Sequence, residues 1–265
     1  GLGSVSQDRF VVSNTPGTVF GDLLIMPLRV SEGVDPARGH IQAFNIITGK
    51  LAWVFRTIPQ PGDYGYDTWP KEAYKNTDVG AANNWAGMAV DRPRGIIYVP
   101  TGSAAYDFYG GNRKGQNLFA NCLLALDART GKRRWHYQFV HHDLLDRDAP
   151  APPNLVTVTH RGPDGRPRRI DAVAQVTKHG LVFLFDRATG RPLFPIEERA
   201  APASDLPGEQ PWPTQPVPTK PAPYARQTLT EADLSPYADN RDELLATFRK
   251  YRYQGPFTPY SKGGT

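Results

Sequence analysis

Apolar residues along this chain gather into short runs of strand length that end on turn residues. Leu23 to Pro27 (LLIMP), Gly95 to Pro100 (GIIYVP) and Asp171 to Val176 (DAVAQV) are of this kind. Runs this brief, bounded by Gly, Pro or Asp, predict strands rather than helices. One eleven-residue pattern occurs three times, as Ala43 to Trp53 (AFNIITGKLAW), Ala125 to Trp135 (ALDARTGKRRW) and Leu184 to Phe194 (LFDRATGRPLF). In every copy an apolar strand enters Asn or Asp, a Thr-Gly pair follows two residues later, and a second strand ends on an aromatic ring. Gly49, Gly131 and Gly190 supply the positive φ that so tight a turn needs. Trp53, Trp135 and Phe194 fall at one equivalent position, where a large ring can plug the seam between neighbouring sheets.

A repeated unit that cannot bury its own face must stack on copies of itself. With about four strands per repeat, the expected class is all-β, a β-propeller of antiparallel four-stranded blades. Residues 1–265 are expected to form three or nearly four such blades, interrupted by a Pro-rich insertion and a helix at about 195–255. Ten prolines between Pro192 and Pro223 suit an extended surface crossing. Beyond them Leu244, Leu245, Phe248 and Tyr251 form one apolar helical face, with Asp239 or Asn240 able to cap it and Asp242 and Glu243 in the first turn. Three blades and a fraction cannot close a ring, so the sequence predicts either a piece of a longer polypeptide or self-association through open propeller edges.

Composition changes this picture little. Against 25 Gly and 26 Pro stand 12 Tyr, 12 Phe and 5 Trp, which favours short strands, turns and aromatic packing. The net charge of +5 is spread along the chain, and its densest basic stretch, Arg161 to Arg169, carries Pro and Gly at turn spacing. That stretch is expected to be a solvated hairpin tip, and no nucleic-acid partner is expected. The single cysteine, Cys122, lies in the apolar run CLLALD and reads as a buried structural thiol, with no internal disulfide possible. No run approaches the length of a membrane span, and Gly1 does not begin a signal-peptide pattern.

Candidate chemistry is scattered. His141-His142-Asp143 opens a turn continuing through Asp146 and Asp148. Structural histidines are one reading of it, and a carboxylate acting as general base beside an imidazole is another. Taken alone, Glu32 in LRVSEGVDPARG reads as a solvated turn acid, Lys178 in QVTKHG as a strand-end cation, and Trp85 in GAANNWAGM as a ring buried between blades, although its small neighbours would let a ligand approach its face.

Five motifs bring these residues together: GDYGYDTWP (Gly62 to Pro70), DFYGGNR (Asp107 to Arg113), HHDLLDRDAPAPP (His141 to Pro153), PTQP (Pro213 to Pro216) and YQGPFTPYSKGGT at the end. In this order they resemble the pyrroloquinoline quinone (PQQ)-dependent alcohol and sugar dehydrogenases, closest to the membrane-bound glucose and quinate dehydrogenase branch, over essentially the whole chain. The resemblance implies an eight-bladed propeller with PQQ and a calcium (or magnesium) ion in its central channel. Trp85 would stack on the quinone, Glu32 and Ser103 would hold the metal, Lys178 would hydrogen-bond the reactive carbonyls, Thr15 would meet the cofactor's carboxylates, and Asp143 would be the general base. The implied substrate is a sugar, polyol or cyclic alcohol, the electron acceptor ubiquinone or a cytochrome, and the location periplasmic. No CxxCH haem motif is present in the chain. The competing readings are a non-catalytic propeller scaffold and a fragment that is inactive in isolation.

Overall fold

The computed structural model describes residues 10–162 and 164–264. Its strands, in chain order, are β1 (Val11–Val12), β2 (Thr18–Phe20), β3 (Leu23–Met26), β4 (Arg29–Val30), β5 (Ile41–Asn45) and β6 (Leu51–Phe55). Next come β7 (Ala89–Asp91), β8 (Ile96–Pro100), β9 (Cys122–Asp127) and β10 (Arg133–Gln138), then β11 (Asn154–Arg161), β12 (Pro167–Val176), β13 (Val182–Asp186), β14 (Ile196–Ala200) and β15 (Thr214–Pro218). Every ladder joining these strands is antiparallel. The first blade is β2-β3-β5-β6, the second β7-β8-β9-β10 and the third β11-β12-β13.

The expectation of four strands per blade holds twice and stops short at the third. There the return strand makes only an isolated bridge, Phe185 with Pro192, before the chain leaves the sheet. Proline has no N–H for a ladder, and the Pro-rich stretch begins at that point. It is not wholly an extended crossing, because β14 and β15 pair within it as a two-stranded ribbon. The basic stretch at Arg161 does form a hairpin tip, with Arg161 opposite Pro167. A single α-helix among the described residues, α1 (Arg241–Lys250), lies where the apolar periodicity predicted one. Asn240 occupies its N-cap position without a side-chain cap bond, its amide facing Glu243 instead.

The middle blade explains why its strands read as unbroken apolar runs. Alternate residues of a strand face opposite sides, and both sides of this sheet are covered. Ile97, Val99, Leu124 and Leu126 pack toward Ile25, Ile41 and Trp53 of the first blade. Ile96, Tyr98, Leu123 and Ala125 pack toward Val173, Phe183 and Phe185 of the third.

The turn residue of the repeat has the same job in every copy, while the closing aromatic does not: Phe194, expected to plug a seam like Trp53 and Trp135, packs edge-on against His160 of its own blade. Asn45, Asp127 and Asp186 each turn one side-chain oxygen back onto the two N–H groups and the threonine hydroxyl of the following turn, at 2.9–3.1 Å. The tryptophan of one blade then seats on the turn of the next. Trp53 Nε1 donates to Ala128 O at 3.3 Å, and a Cβ on Gly131 would lie 2.5 Å from the Trp53 ring. Trp135 Nε1 donates to Arg187 O at 3.1 Å, and a Cβ on Gly190 would lie 2.6 Å from that ring. Glycine is required twice over at these turns, by the positive φ and by the approaching indole.

Candidate active site

Loops between strands bring the chemistry together. Three of them converge: the one after β4 carrying Glu32, the one after β8 carrying Ser103 and Asp107, and the one after β10 carrying Asp143, Asp146 and Asp148. Backbone bonds tie the first two together, and tie the second to the segment before β7 and the third to the turn after β12. Asp107 N–H donates to Glu32 O at 3.3 Å, Gly102 N–H to Asn83 O at 2.9 Å, and Lys178 N–H to Asp148 O at 2.9 Å.

Glu32, Asp107 and Asp146 each offer a carboxylate oxygen, and these atoms all lie within 4.8 Å of one another. Three half-buried acids so close repel. Glu32 is pushed up to about 7 by burial and by the charges of Asp148, Asp146 and Asp107. Asp107 is raised as well, chiefly by burial. Burial and the Asp148 charge push Asp146 up to about 7, with Lys178 pulling the other way. Hard oxygen donors gathered at this spacing, short of positive charge, fit a calcium-sized cation.

Beside this group Lys178 lies between two carboxylates, 2.6 Å from Asp146 Oδ2 and 2.9 Å from Asp148 Oδ2. Burial alone would lower its pKa, yet the Asp148 charge and the bonds to both acids raise it, so it remains a cation. Its Nζ sits 5.6 Å from the centre of the Trp85 ring. Trp85 is held edge-on by Nε1 donating to Asp148 Oδ2 at 3.2 Å, while the flanking Gly87 and Gly102 have no room for a Cβ that would not press on Pro152 and Thr15 or on Asp148 and the indole edge. A fixed indole with a cation near its face and small residues beside it can accept a flat conjugated ring.

Glu32, Trp85 and Lys178 thus lie in one neighbourhood, and Asp143 adjoins it from beneath. Asp143 is 3% exposed. Its two oxygens accept from Leu145 N–H (3.0 Å), Arg147 N–H (2.6 Å), Asn121 Nδ2 (2.9 Å) and the Ser103 hydroxyl. Three of these donors meet Oδ2 and only Leu145 N–H meets Oδ1, so the expectation that Asp143 is the base meets a buried carboxylate largely engaged in holding its own turn. Asp148 is equally committed, to Ser103 N–H (2.7 Å), Trp85 and Lys178. Asp146 differs: Oδ2 faces Lys178, and Oδ1 is buried with no hydrogen-bond partner among the described residues. Its φ of +54° is an uncommon conformation for a residue with a side chain.

Two further expectations need correcting on the same grounds. Ser103 is fully buried with its hydroxyl facing Asp143 and accepting from Asn121 Nδ2 at 3.1 Å, so it supports the carboxylates while Asp107 and Asp146 join Glu32. Thr15 spends its hydroxyl proton on Trp85 O at 2.6 Å, which leaves nothing to donate to a cofactor carboxylate and makes it a brace for the indole. Sequence reasoning quoted the motifs containing Asp107, Asp146 and Asp148 without selecting these residues. The D-x-D spacing of Asp146 and Asp148 on either side of Arg147 was the available signal. Gln215, in PTQP, was also missed; its amide clamps the His141 backbone in both directions, at 2.8 and 2.7 Å.

Comparison with known proteins agrees with this architecture. The family described as "PQQ: Glucose/ethanol/alcohol dehydrogenase, beta-propeller domain" matches residues 1–265, and the chain belongs to it. A quinate/shikimate dehydrogenase (quinone) of Acinetobacter baylyi is 36% identical over 97% of this chain and 31% of its own length. A quinoprotein glucose dehydrogenase of Gluconobacter oxydans is 34% identical over 98% of this chain and 30% of its own. Among solved structures, a quinohemoprotein alcohol dehydrogenase of Pseudomonas putida superposes with a TM-score of 0.59 at 27% identity, over 74% of this chain and 30% of that one. The chain therefore spans about a third of the length of these relatives. No helix among the described residues is long and apolar enough to cross a membrane.

Proposed function

We propose that this chain supplies the base, the indole platform and the acidic cation site of a PQQ-dependent dehydrogenase that oxidises a hydroxyl of a sugar, polyol or cyclic alcohol. The observation that carries the reading is the free Oδ1 of Asp146, placed beside Lys178, Trp85 and the Glu32–Asp107–Asp146 group. Glu32, Asp107 and Asp146 would hold calcium, and Trp85 and Lys178 would hold the quinone. When bound, the quinone supplies the hydride acceptor and the cation the Lewis acid that polarises it.

The chain's own residues do the rest. Asp146 Oδ1, which has no hydrogen-bond partner among the described residues, takes the proton of the substrate hydroxyl. Lys178 steadies the other oxygen of that carboxylate and offers a fixed positive charge where negative charge develops. Asp148 fixes Lys178 and the indole edge relative to one another. Asp143 shapes the turn from below. The substrate class follows the relatives named for quinate and glucose; the acceptor, a quinone in the first of those names, is ubiquinone or a cytochrome, and the location is periplasmic.

The test is Asp146→Asn in the complete protein. Turnover is expected to fall roughly a hundredfold or more, with PQQ still bound as judged by its absorbance. The acid limb of the pH–rate profile should vanish with the carboxylate. Near-normal turnover in a PQQ-loaded Asp146→Asn enzyme would refute the assignment.

A further inference from the structure

Arg113, in the DFYGGNR motif, has no place in the chemistry above, yet its guanidinium is wholly buried. Burying a cation costs several kcal/mol unless strong partners offset it, and burial does pull this one down, to about 10. The acid whose charge acts on it most, Asp143, bonds other donors through its carboxylate. Arg113 instead spends its charge on neutral acceptors. Nη2 donates to Tyr106 O at 2.7 Å and to Asp143 O at 2.5 Å, and Nη1 donates to Asn117 Oδ1 at 2.9 Å.

The choice of acceptors is informative. Tyr106 O belongs to the peptide that leads directly into Asp107, and Asp143 O opens the turn that ends on Asp146 and Asp148. One planar nitrogen thus joins the two loops that carry two of the three clustered carboxylates. Asn117 completes the grip by donating Nδ2 to Arg113 O at 2.5 Å while its Oδ1 also meets His142 Nδ1 at 3.1 Å.

We propose that Arg113 is a positioning residue that sets the separation of Asp107 and Asp146, and through it the affinity of the acidic group for a divalent cation. The inference rests on the reading that Glu32, Asp107 and Asp146 form a cation site. Two mutually repelling carboxylates on separate loops would move apart without a clasp, and a rigid fork that holds both loop carbonyls through Nη2 while Nη1 holds Asn117 is a property of arginine, not lysine. Residues that orient metal ligands from behind change affinity by ten- to a hundredfold when removed.

The experiment is calcium titration, by calorimetry, of the complete protein with PQQ present, in the wild type and in Arg113→Lys, Arg113→Met and Glu32→Gln. Arg113→Lys is expected to bind calcium about tenfold more weakly, with turnover restored toward wild type at saturating calcium and an unchanged thermal midpoint in its absence. Arg113→Met should lose about a hundredfold; should it fail to fold, the lysine variant alone decides. Wild-type calcium affinity in folded Arg113→Lys, while Glu32→Gln binds weakly, would overturn the inference and leave the cation site standing. Wild-type affinity in Glu32→Gln would instead overturn the cation-site reading itself. A lowered thermal midpoint with unchanged calcium affinity would make Arg113 a merely structural residue.

Discussion

At the two seams between blades the repeat makes the same contacts, Trp53 on the Gly131 turn and Trp135 on the Gly190 turn, whereas the loops around Asp107 and Asp146 have no such counterpart. At the seams an indole lies on a Thr-Gly turn, an Asn or Asp oxygen organises that turn, and the next blade repeats the pattern. Around the acids the backbone adopts left-handed conformations at His142 and Asp146 (φ +46° and +54°), and buried polar side chains such as Asn121 and Arg113 replace apolar contacts. The seams draw on hydrophobic burial, which tolerates imprecision. The loops draw on hydrogen bonds that must all be satisfied. Stability and function are therefore expected to respond to different substitutions.

The largest effect on stability is expected at the seam. Trp135→Ala removes a buried ring that packs on Tyr98 and Phe185 and loses the bond to Arg187 O. Denaturant unfolding of the complete protein should show a loss of about 3–5 kcal/mol. Calcium affinity should be unchanged in the fraction that remains folded. A coupled loss of calcium binding would erase the distinction between the two regions.

That distinction also accounts for what could be read from the sequence. Asn45, Thr48, Gly49 and Trp53 recur as Asp127, Thr130, Gly131 and Trp135, so the repeat announces both the turn and the seam. Repetition cannot announce Asp146, whose neighbours Asp143 and Asp148 are the same residue type a few positions away. What separates the three is hydrogen-bond supply: Asp143 meets donors from Asn121 and Ser103, distant in sequence, and Asp146 does not. Likewise Ser103 and Thr15 are expected to bind ligands from their places in the family resemblance; only the fold shows their hydroxyls already committed. The third blade's missing strand was legible in part, since Pro192 and Pro195 mark the place where pairing ends.

Asp143→Asn sharpens the contrast at the boundary between the regions. An amide nitrogen in place of one carboxylate oxygen faces donors that have nowhere else to go, and stability should fall by about 1–3 kcal/mol. At saturating PQQ and calcium the loss of turnover should be smaller than in Asp146→Asn. Full stability together with the larger kinetic loss would return the role of base to Asp143.

The smallest effect is expected at Gly49, and its size relative to Gly131 is the cleanest measure of what a seam contributes. Both glycines have φ +69°, so an alanine at either position meets the same backbone strain, about 1–2 kcal/mol for a side chain held in the left-handed region. Their surroundings differ. A Cβ on Gly131 would lie 2.5 Å from the Trp53 ring, while one on Gly49 has nothing within 4 Å, and Ile46 and Ile47 beside it are exposed. With strain held constant, the difference between Gly131→Ala and Gly49→Ala isolates the displaced indole, which should add about 1–3 kcal/mol at Gly131. If, in the complete protein, the two substitutions cost the same because Gly49→Ala is as damaging as Gly131→Ala, a ring from outside this chain's described residues packs on the Thr48-Gly49 turn. If they cost the same because both are mild, the indole can shift freely and the seam contributes less than its geometry implies.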